Sequence, residues 1–208
     1  PEEINRMIID SVTNYFFTTS ETANENLRQT SVAENKIFFV GNTMIDTLLK
    51  NKTRFKKPDL VNIYNLTKKE YFILTLHRPA NVNCSQKFIS LLKVLSKEVR
   101  GLPLVFPAHP RTIKVLEDQS ALPSNLILID PQPYLQFNWL VQNSKAAITD
   151  SGGISEETTV MGIPCLTLRD NTERPETVSI GTNELIGTNP ALFSKYFDIL
   201  FDEKWKTG

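Results

Sequence analysis

Histidine and cysteine are both scarce here, with two of each in 208 residues. Their placement rules out several chemistries. Cys84 and Cys165 lie far apart and belong to no metal-ligand spacing, so no cluster has the pattern of a zinc site. The pair reads as free thiols of a reducing compartment. No apolar run is long enough to span a bilayer and no signal-peptide pattern is visible, so a cytoplasmic protein without membrane partners is expected. Charge of one sign is not in excess either: 23 Lys and Arg face 23 Asp and Glu. A neutral chain lacks the basic surface that displaces counterions from phosphates, which argues against a general nucleic-acid binder. There is no Walker loop, no Gly-x-Ser-x-Gly elbow and no nucleophile triad. At 40% hydrophobic and 22% charged residues, the composition is that of a globular protein with enough apolar material for a core.

Two kinds of segment alternate along the chain. Short runs rich in β-branched and aromatic residues read as buried strands: Tyr15–Thr19, Ile37–Val40, Tyr71–Leu76, Leu104–Pro107, Leu126–Ile129, Ala146–Thr149 and Pro164–Leu168. Stretches with helical spacing lie between them. Ile4, Met7, Ile8 and Val12 share one helical face, as do Phe88, Leu91, Leu92, Leu95 and Val99. Such alternation predicts an α/β fold, a Rossmann-like, doubly wound parallel sheet with helices on both faces. The polar, basic segment Asn51–Pro58 has no periodicity and reads as a link. Residues 1–50 before it hold too little for an independent domain and are expected to be the tail of one. Residues 51–208 carry five of the expected strands, a nearly whole doubly wound domain.

Polar residues gather where three strands end, the edge at which open parallel sheets bind ligands. Phe72–Leu76 runs into His77-Arg78-Pro79, Leu104–Phe106 into Pro107-Ala108-His109-Pro110-Arg111, and Ala146–Thr149 into Asp150-Ser151-Gly152-Gly153. Both histidines of the chain thus follow a strand directly; a single one would read as structural, two at one edge point to function. After Gly153, the positions Ile154, Glu157, Thr158 and Met161 have helical spacing. A helix beginning there presents unpaired N–H groups and a positive dipole end to phosphate oxygens. Gly152 and Gly153 let the backbone approach, Ser151 adds a hydroxyl, and Glu157 is placed to accept from ribose hydroxyls. The plainer alternative is a Ser or Asp N-cap with glycines for a tight turn. In Pro133–Leu140, Leu135, Trp139 and Leu140 are expected in the core, while Phe137 either joins them or stacks on a base. Around Arg174, a helix-starting turn with solvated charges is the plain reading, with Pro175 at the first helical position and Glu176 in the first turn.

The motifs Pro1-Glu2-Glu3-Ile4-Asn5-Arg6, Gly41-Asn42-Thr43 with Asp46, His77-Arg78, Asp150-Ser151-Gly152-Gly153-Ile154 with Glu156-Glu157, and Thr172-Glu173-Arg174-Pro175-Glu176 occur in that order. In this combination the chain resembles the UDP-N-acetylglucosamine 2-epimerases, more the non-hydrolysing bacterial type than the hydrolysing one. The resemblance implies two Rossmann-like domains in the GT-B arrangement, with the active site in the cleft between them, a homodimer, and a role in cell-surface polysaccharide synthesis. The implied chemistry is proton removal at C2 with anti elimination of UDP, giving a glucal to which UDP adds back with C2 inverted; no metal or redox cofactor takes part. Position by position, His77, Ser151, Gly152 and Gly153 resemble the diphosphate contacts, His77 also counting with the catalytic set. Glu157 resembles the ribose-binding glutamate, Phe137 the residue beside uracil, and Glu2 one of the catalytic carboxylates. His109, and with it Arg174, is similar to residues of a neighbouring regulatory or supporting site.

The sequence departs from the family pattern in three places. The amino-terminal Gly-Thr-Arg-Pro-Glu loop is absent, with an Asp and a Glu that share the acid/base work, so this chain alone is expected to be inactive while its parent is an epimerase. The last helix of the family is expected to stop short after Trp205. Beyond His77-Arg78, Pro79-Ala80-Asn81 replace the usual Arg-Glu. A GT-B glycosyltransferase using a UDP-sugar, a hydrolysing epimerase and a non-catalytic nucleotide-sugar-binding module are the alternatives.

Overall fold

The structure, a computed structural model, describes residues 2–78, 85–108, 112, 113, 116 and 122–208. His109, Cys84 and Pro79-Ala80-Asn81 lie outside the described residues. The chain divides into two compact units, residues 1–50 and 51–208.

In the larger unit, six short segments form one sheet: β3 (Phe72–Thr75), β4 (Leu104–Pro107), β5 (Leu126–Ile129), β6 (Ala146–Thr149), β7 (Cys165–Thr167) and β8 (Asn183–Leu185). All neighbours are parallel, in the order β5-β4-β3-β6-β7-β8. Successive side chains leave a strand on opposite faces, and the core divides accordingly. Phe72, Leu74, Leu104 and Phe106 join one buried cluster; Ile73 and Val105 join another. Helix α5 (Ser85–Glu98) closes the first face with Phe88, Leu92 and Leu95, joined by α9 (Phe193–Phe201) with Phe193, Phe197 and Leu200. Residues of α4 (Leu60–Ile63) and α6 (Tyr134–Asn143) fill the second face. Helices on both faces of a parallel sheet make the doubly wound fold that the alternating pattern predicts.

Helices α7 (Gly152–Met161) and α8 (Pro175–Ser179) follow β6 and β7. Helix α7 stops at Gly162, whose φ of 68° is left-handed. Gly162 and Ile163 donate back to the carbonyls of Thr159 and Thr158 at 3.1 and 2.9 Å, a paired closure that favours glycine at the turn.

Where five strands are expected, the described residues form six. β8 carries Asn183-Glu184-Leu185, too short and polar to show an apolar run, and it forms because β7 offers it a free edge in register. It is tied down by buried polar bonds: Thr167 Oγ1 donates to Asn183 Oδ1 at 2.6 Å, and Asn183 Nδ2 donates to Thr177 Oγ1 at 3.1 Å.

The smaller unit holds α1 (Glu2–Val12), β1 (Phe16–Thr18), α2 (Glu21–Gln29), β2 (Ile37–Phe39) and most of α3 (Thr43–Asn51). Its two strands pair in parallel. Both were expected to be buried, and this needs correction: Phe17, Phe38 and Phe39 are exposed, because a two-stranded ribbon has no second layer over one of its faces. The same holds for α1, where Ile4, Met7, Ile8 and Val12 do share a face but stand exposed. The link expected at Asn51–Pro58 opens as the last residue of α3 followed by a 3-10 turn over Lys52–Arg54.

The α9 helix is held to the sheet by aromatic packing, Phe197 meeting Phe72 at a ring separation of 5.9 Å. Phe197 is fully buried. Replacing Phe197 by Ala is expected to cost about 3–5 kcal/mol through lost transfer energy and a residual cavity. A lower urea midpoint with an unchanged slope is the result that checks it.

Candidate functional site

In the order β5-β4-β3-β6-β7-β8 the chain starts in the middle at β3, builds outward to one side, then returns to β6 and builds outward to the other. Connections on the two sides of this reversal point lie on opposite faces, which leaves a crevice beyond the carboxyl ends of β3 and β6. His77 and Arg78 leave β3 there, and Asp150 and Ser151 leave β6.

Asp150 joins these two exits. Its carboxylate is fully buried and accepts from the backbone N–H of His77 at 3.2 Å and of Arg78 at 3.0 Å. The imidazole Nδ1 of His77 lies 2.8 Å from Asp150 Oδ1. Arg78 Nε donates to the backbone oxygen of Asp150 at 3.1 Å. At the last residues of these two strands, the hydroxyls of Thr75 and Thr149 meet at 2.6 Å. With Nδ1 bound to a carboxylate, the ring is oriented and its Nε2 is left for a ligand. The imidazole is 65% exposed, so that nitrogen is open to solvent.

Helix α7 begins at once after Asp150. Ser151 occupies the N-cap position, yet its side chain makes no capping bond, so the plain N-cap reading of this residue is not what the geometry gives. The first turn of α7 instead follows directly on Asp150, the residue that holds His77, and there unpaired N–H groups and the helix dipole favour an anion. Space at Gly152 is limited by its neighbour Glu173: a Cβ added there would stand 2.8 Å from Glu173 Oε1. Glu173 in turn pairs with Arg169 at 2.7 Å and Arg78 at 3.7 Å.

One turn into α7, two adjacent carboxylates are buried together, Glu156 and Glu157. Arg174 Nε lies 3.1 Å from Glu156 Oε1, so Arg174 neutralises a buried acid and is not the purely solvated charge of the plain reading. It does precede the helix that opens with Pro175. Glu157 accepts a hydrogen bond from the Tyr134 hydroxyl at 3.1 Å. Burial pushes the Glu157 carboxyl above its ordinary range, the neighbouring Glu156 charge adding to this and the Tyr134 bond opposing it. Burial and the Glu157 charge push the Tyr134 phenol up to about 12. A carboxylate held this way suits hydroxyl donors from a ligand, which would stabilise its charged form.

Tyr134 opens α6, and Phe137 follows one turn later. Phe137 is half-buried and packs against the second core cluster, as does Trp139; Leu140 is fully buried and Leu135 half-buried. His77, Ser151, Gly152, Gly153 and Glu157 are thus brought to one edge, with Tyr134 and Phe137 on the neighbouring helix. Glu2 begins α1 in the smaller unit. Sequence reasoning missed Tyr134, Arg169 and Glu173: the separation of 23 positions from Tyr134 to Glu157 obeys no period, and a charged pair inside a polar loop looks like surface. Among the described residues no group of three or more His, Cys, Asp or Glu could hold a metal ion, and no helix is long and apolar enough to cross a membrane.

Comparison with known proteins fits this geometry. A family model described as UDP-N-acetylglucosamine 2-epimerase matches residues 1–206. A relative of that name from Methanocaldococcus jannaschii is 39% identical, the alignment covering 99% of this chain and 60% of the relative. The crystal structure of the Methanocaldococcus jannaschii UDP-GlcNAc 2-epimerase in complex with UDP-GlcNAc and UDP superposes with a TM-score of 0.84 at 37% identity, covering 100% of this chain and 60% of that one. A Pseudomonas aeruginosa relative, a UDP-2,3-diacetamido-2,3-dideoxy-D-glucuronate 2-epimerase, is 37% identical over 90% of this chain and 52% of its own length. The chain therefore spans between about half and three-fifths of these relatives. With a parallel sheet reversing between β3 and β6, a helix start bare of its cap, and a family match over almost every residue, the chain belongs to the UDP-N-acetylglucosamine 2-epimerase family.

Proposed function

We propose that the larger unit is the nucleotide-binding half of an enzyme that interconverts UDP-N-acetylglucosamine and its manno epimer. The observation that carries this reading is the cluster at the reversal point, where His77 is fixed by Asp150, the residue directly before the α7 start whose Ser151 makes no side-chain cap. In this reading the diphosphate lies on Ser151, Gly152, Gly153 and His77 Nε2, the ribose hydroxyls donate to Glu157, and uracil lies beside Phe137. Elimination breaks the bond from C1 of the sugar to the diphosphate oxygen as C2 loses its proton. Negative charge then grows on the departing diphosphate. Preorganised N–H donors and an oriented imidazole stabilise that charge without reorganising, which lowers the barrier to leaving. The proton at C2 is moved by carboxylates, Glu2 among them, whose placement against the sugar belongs to the whole protein. Arg174 supports the site through Glu156, and His109 belongs to a neighbouring regulatory position.

Residues 1–50 are, in the same reading, the tail of a second Rossmann-like domain of a GT-B pair. The parallel β1–β2 ribbon and the exposed apolar residues of α1 support this. The whole protein is a cytoplasmic homodimer on the same family grounds.

Three measurements test these assignments. Ser151→Arg places a long side chain where the diphosphate is proposed to lie, and calorimetric titration with UDP is expected to show affinity falling by more than about tenfold. Equal affinity in the two proteins would remove α7 from the site. Glu157→Gln separates binding from stability. The folded carboxyl titrates above its ordinary value of 4.5, so its contribution to stability is full below that value and is lost as pH rises through the folded one. The variant is expected to melt higher than wild type at pH 7, with the advantage gone near pH 4, and to bind UDP roughly tenfold more weakly. In the whole protein, incubation with UDP-N-acetylglucosamine alone is expected to yield the UDP-linked manno epimer. Release of free sugar, or a requirement for an acceptor, would assign a hydrolase or a transferase instead.

A further inference from the structure

The start of α7 is not empty of negative charge, because Glu173 lies over it. Its Oε1 stands 2.8 Å from the point a Cβ on Gly152 would occupy, so glycine at 152 leaves room for a carboxylate there. Arg169 holds the other oxygen at 2.7 Å. This arginine is unusual in its own right. Its side chain is only 9% exposed, and its Nη1 is buried with no hydrogen-bond partner. A buried guanidinium presents five donors in a fixed fork, and leaving one unmatched is costly. Its other terminal nitrogen, Nη2, serves both Glu173 and, at 3.4 Å, Asn171 Oδ1, and a carboxylate shared with Arg78 at 3.7 Å leaves the Nη1 side of the fork unfilled. Glu173 itself is 51% exposed and has water on its outer side.

Resting on the nucleotide reading given above, we propose that Glu173 is an internal stand-in for the diphosphate: its carboxylate occupies the anion position at the start of α7, leaves when the diphosphate binds, and hands the unfilled fork of Arg169 to the incoming phosphate oxygens. Two like charges cannot share the position, and the diphosphate brings more charge and more acceptor oxygens than one carboxylate. The exchange is therefore favourable, yet each binding event carries the cost of breaking the Arg169–Glu173 pair. The same contact speeds release, since the returning carboxylate refills the site as UDP leaves. Hydrogen bonding to Arg169 holds the Glu173 carboxyl below its ordinary range, so the stand-in is charged throughout the neutral region.

The test is titration of the chain with UDP and, separately, with inorganic pyrophosphate, comparing wild type with Glu173→Gln and Glu173→Ala. Thermal melting checks that each variant is folded. Removing the competing charge is expected to tighten both ligands by roughly fivefold, the order set by a half-exposed ion pair. Arg169→Lys placed on Glu173→Gln is expected to abolish the gain, because an ammonium cannot reproduce the fork. Unchanged or weaker binding in both single variants, with wild type binding UDP normally, overturns the stand-in and leaves the nucleotide site standing. Absence of UDP and pyrophosphate binding by wild type overturns the nucleotide reading and the stand-in with it.

Discussion

A single buried carboxylate organises the candidate site. Asp150 directly follows β6 and binds the backbone and side chain of residues that follow β3. A buried carboxyl group is tolerated only where hydrogen bonds replace its hydration, and here those donors come from the neighbouring strand exit. The arrangement fixes two things at once: the path of the chain beyond His77 and the orientation of its ring. It works because the strand order places β3 beside β6. A sheet of the same strands in another order would separate Asp150 from His77 and dissolve the site.

Further along α7, function and stability pull against each other. Glu156 and Glu157 are adjacent, both buried and both acidic, an arrangement that costs free energy unless each is compensated. Arg174 compensates Glu156. Glu157 receives only the Tyr134 hydroxyl among the bonds described, and its carboxyl stays perturbed. Such under-compensated groups are what binding sites retain, since a ligand supplies the missing donors. The neighbouring loop shows the same economy in reverse, with Arg169 carrying one donor too many.

The smaller unit differs in kind. Its salt bridges, such as those of Arg28 with Glu21 and Glu34, are exposed and contribute little. Aromatic residues that would anchor a full sheet, Phe17 and Phe39 among them, face solvent. Its sequence has the patterning of a buried layer without a layer to meet within residues 1–50.

By itself the sequence determined the fold class, since β-branched runs of four to six residues alternating with amphipathic stretches admit a parallel sheet covered on both faces and little else. It also singled out His77, the Asp150–Gly153 turn and Glu157 as candidates, because a polar residue following a buried strand and a glycine pair before a helical period are local signals. β8 was not legible: its three residues have no apolar pattern, and only the open edge of β7 makes them a strand. Nor was the exposure of β1 and β2, since burial depends on a second layer that local patterning cannot guarantee. Tertiary structure alone decided the partnerships, Asp150 with His77 across 73 residues, Tyr134 with Glu157 across 23, and Glu173 with the start of α7. Hydrogen bonds and ion pairs act over about 3 Å, and chain separation says nothing about such distances until the strand order has been set.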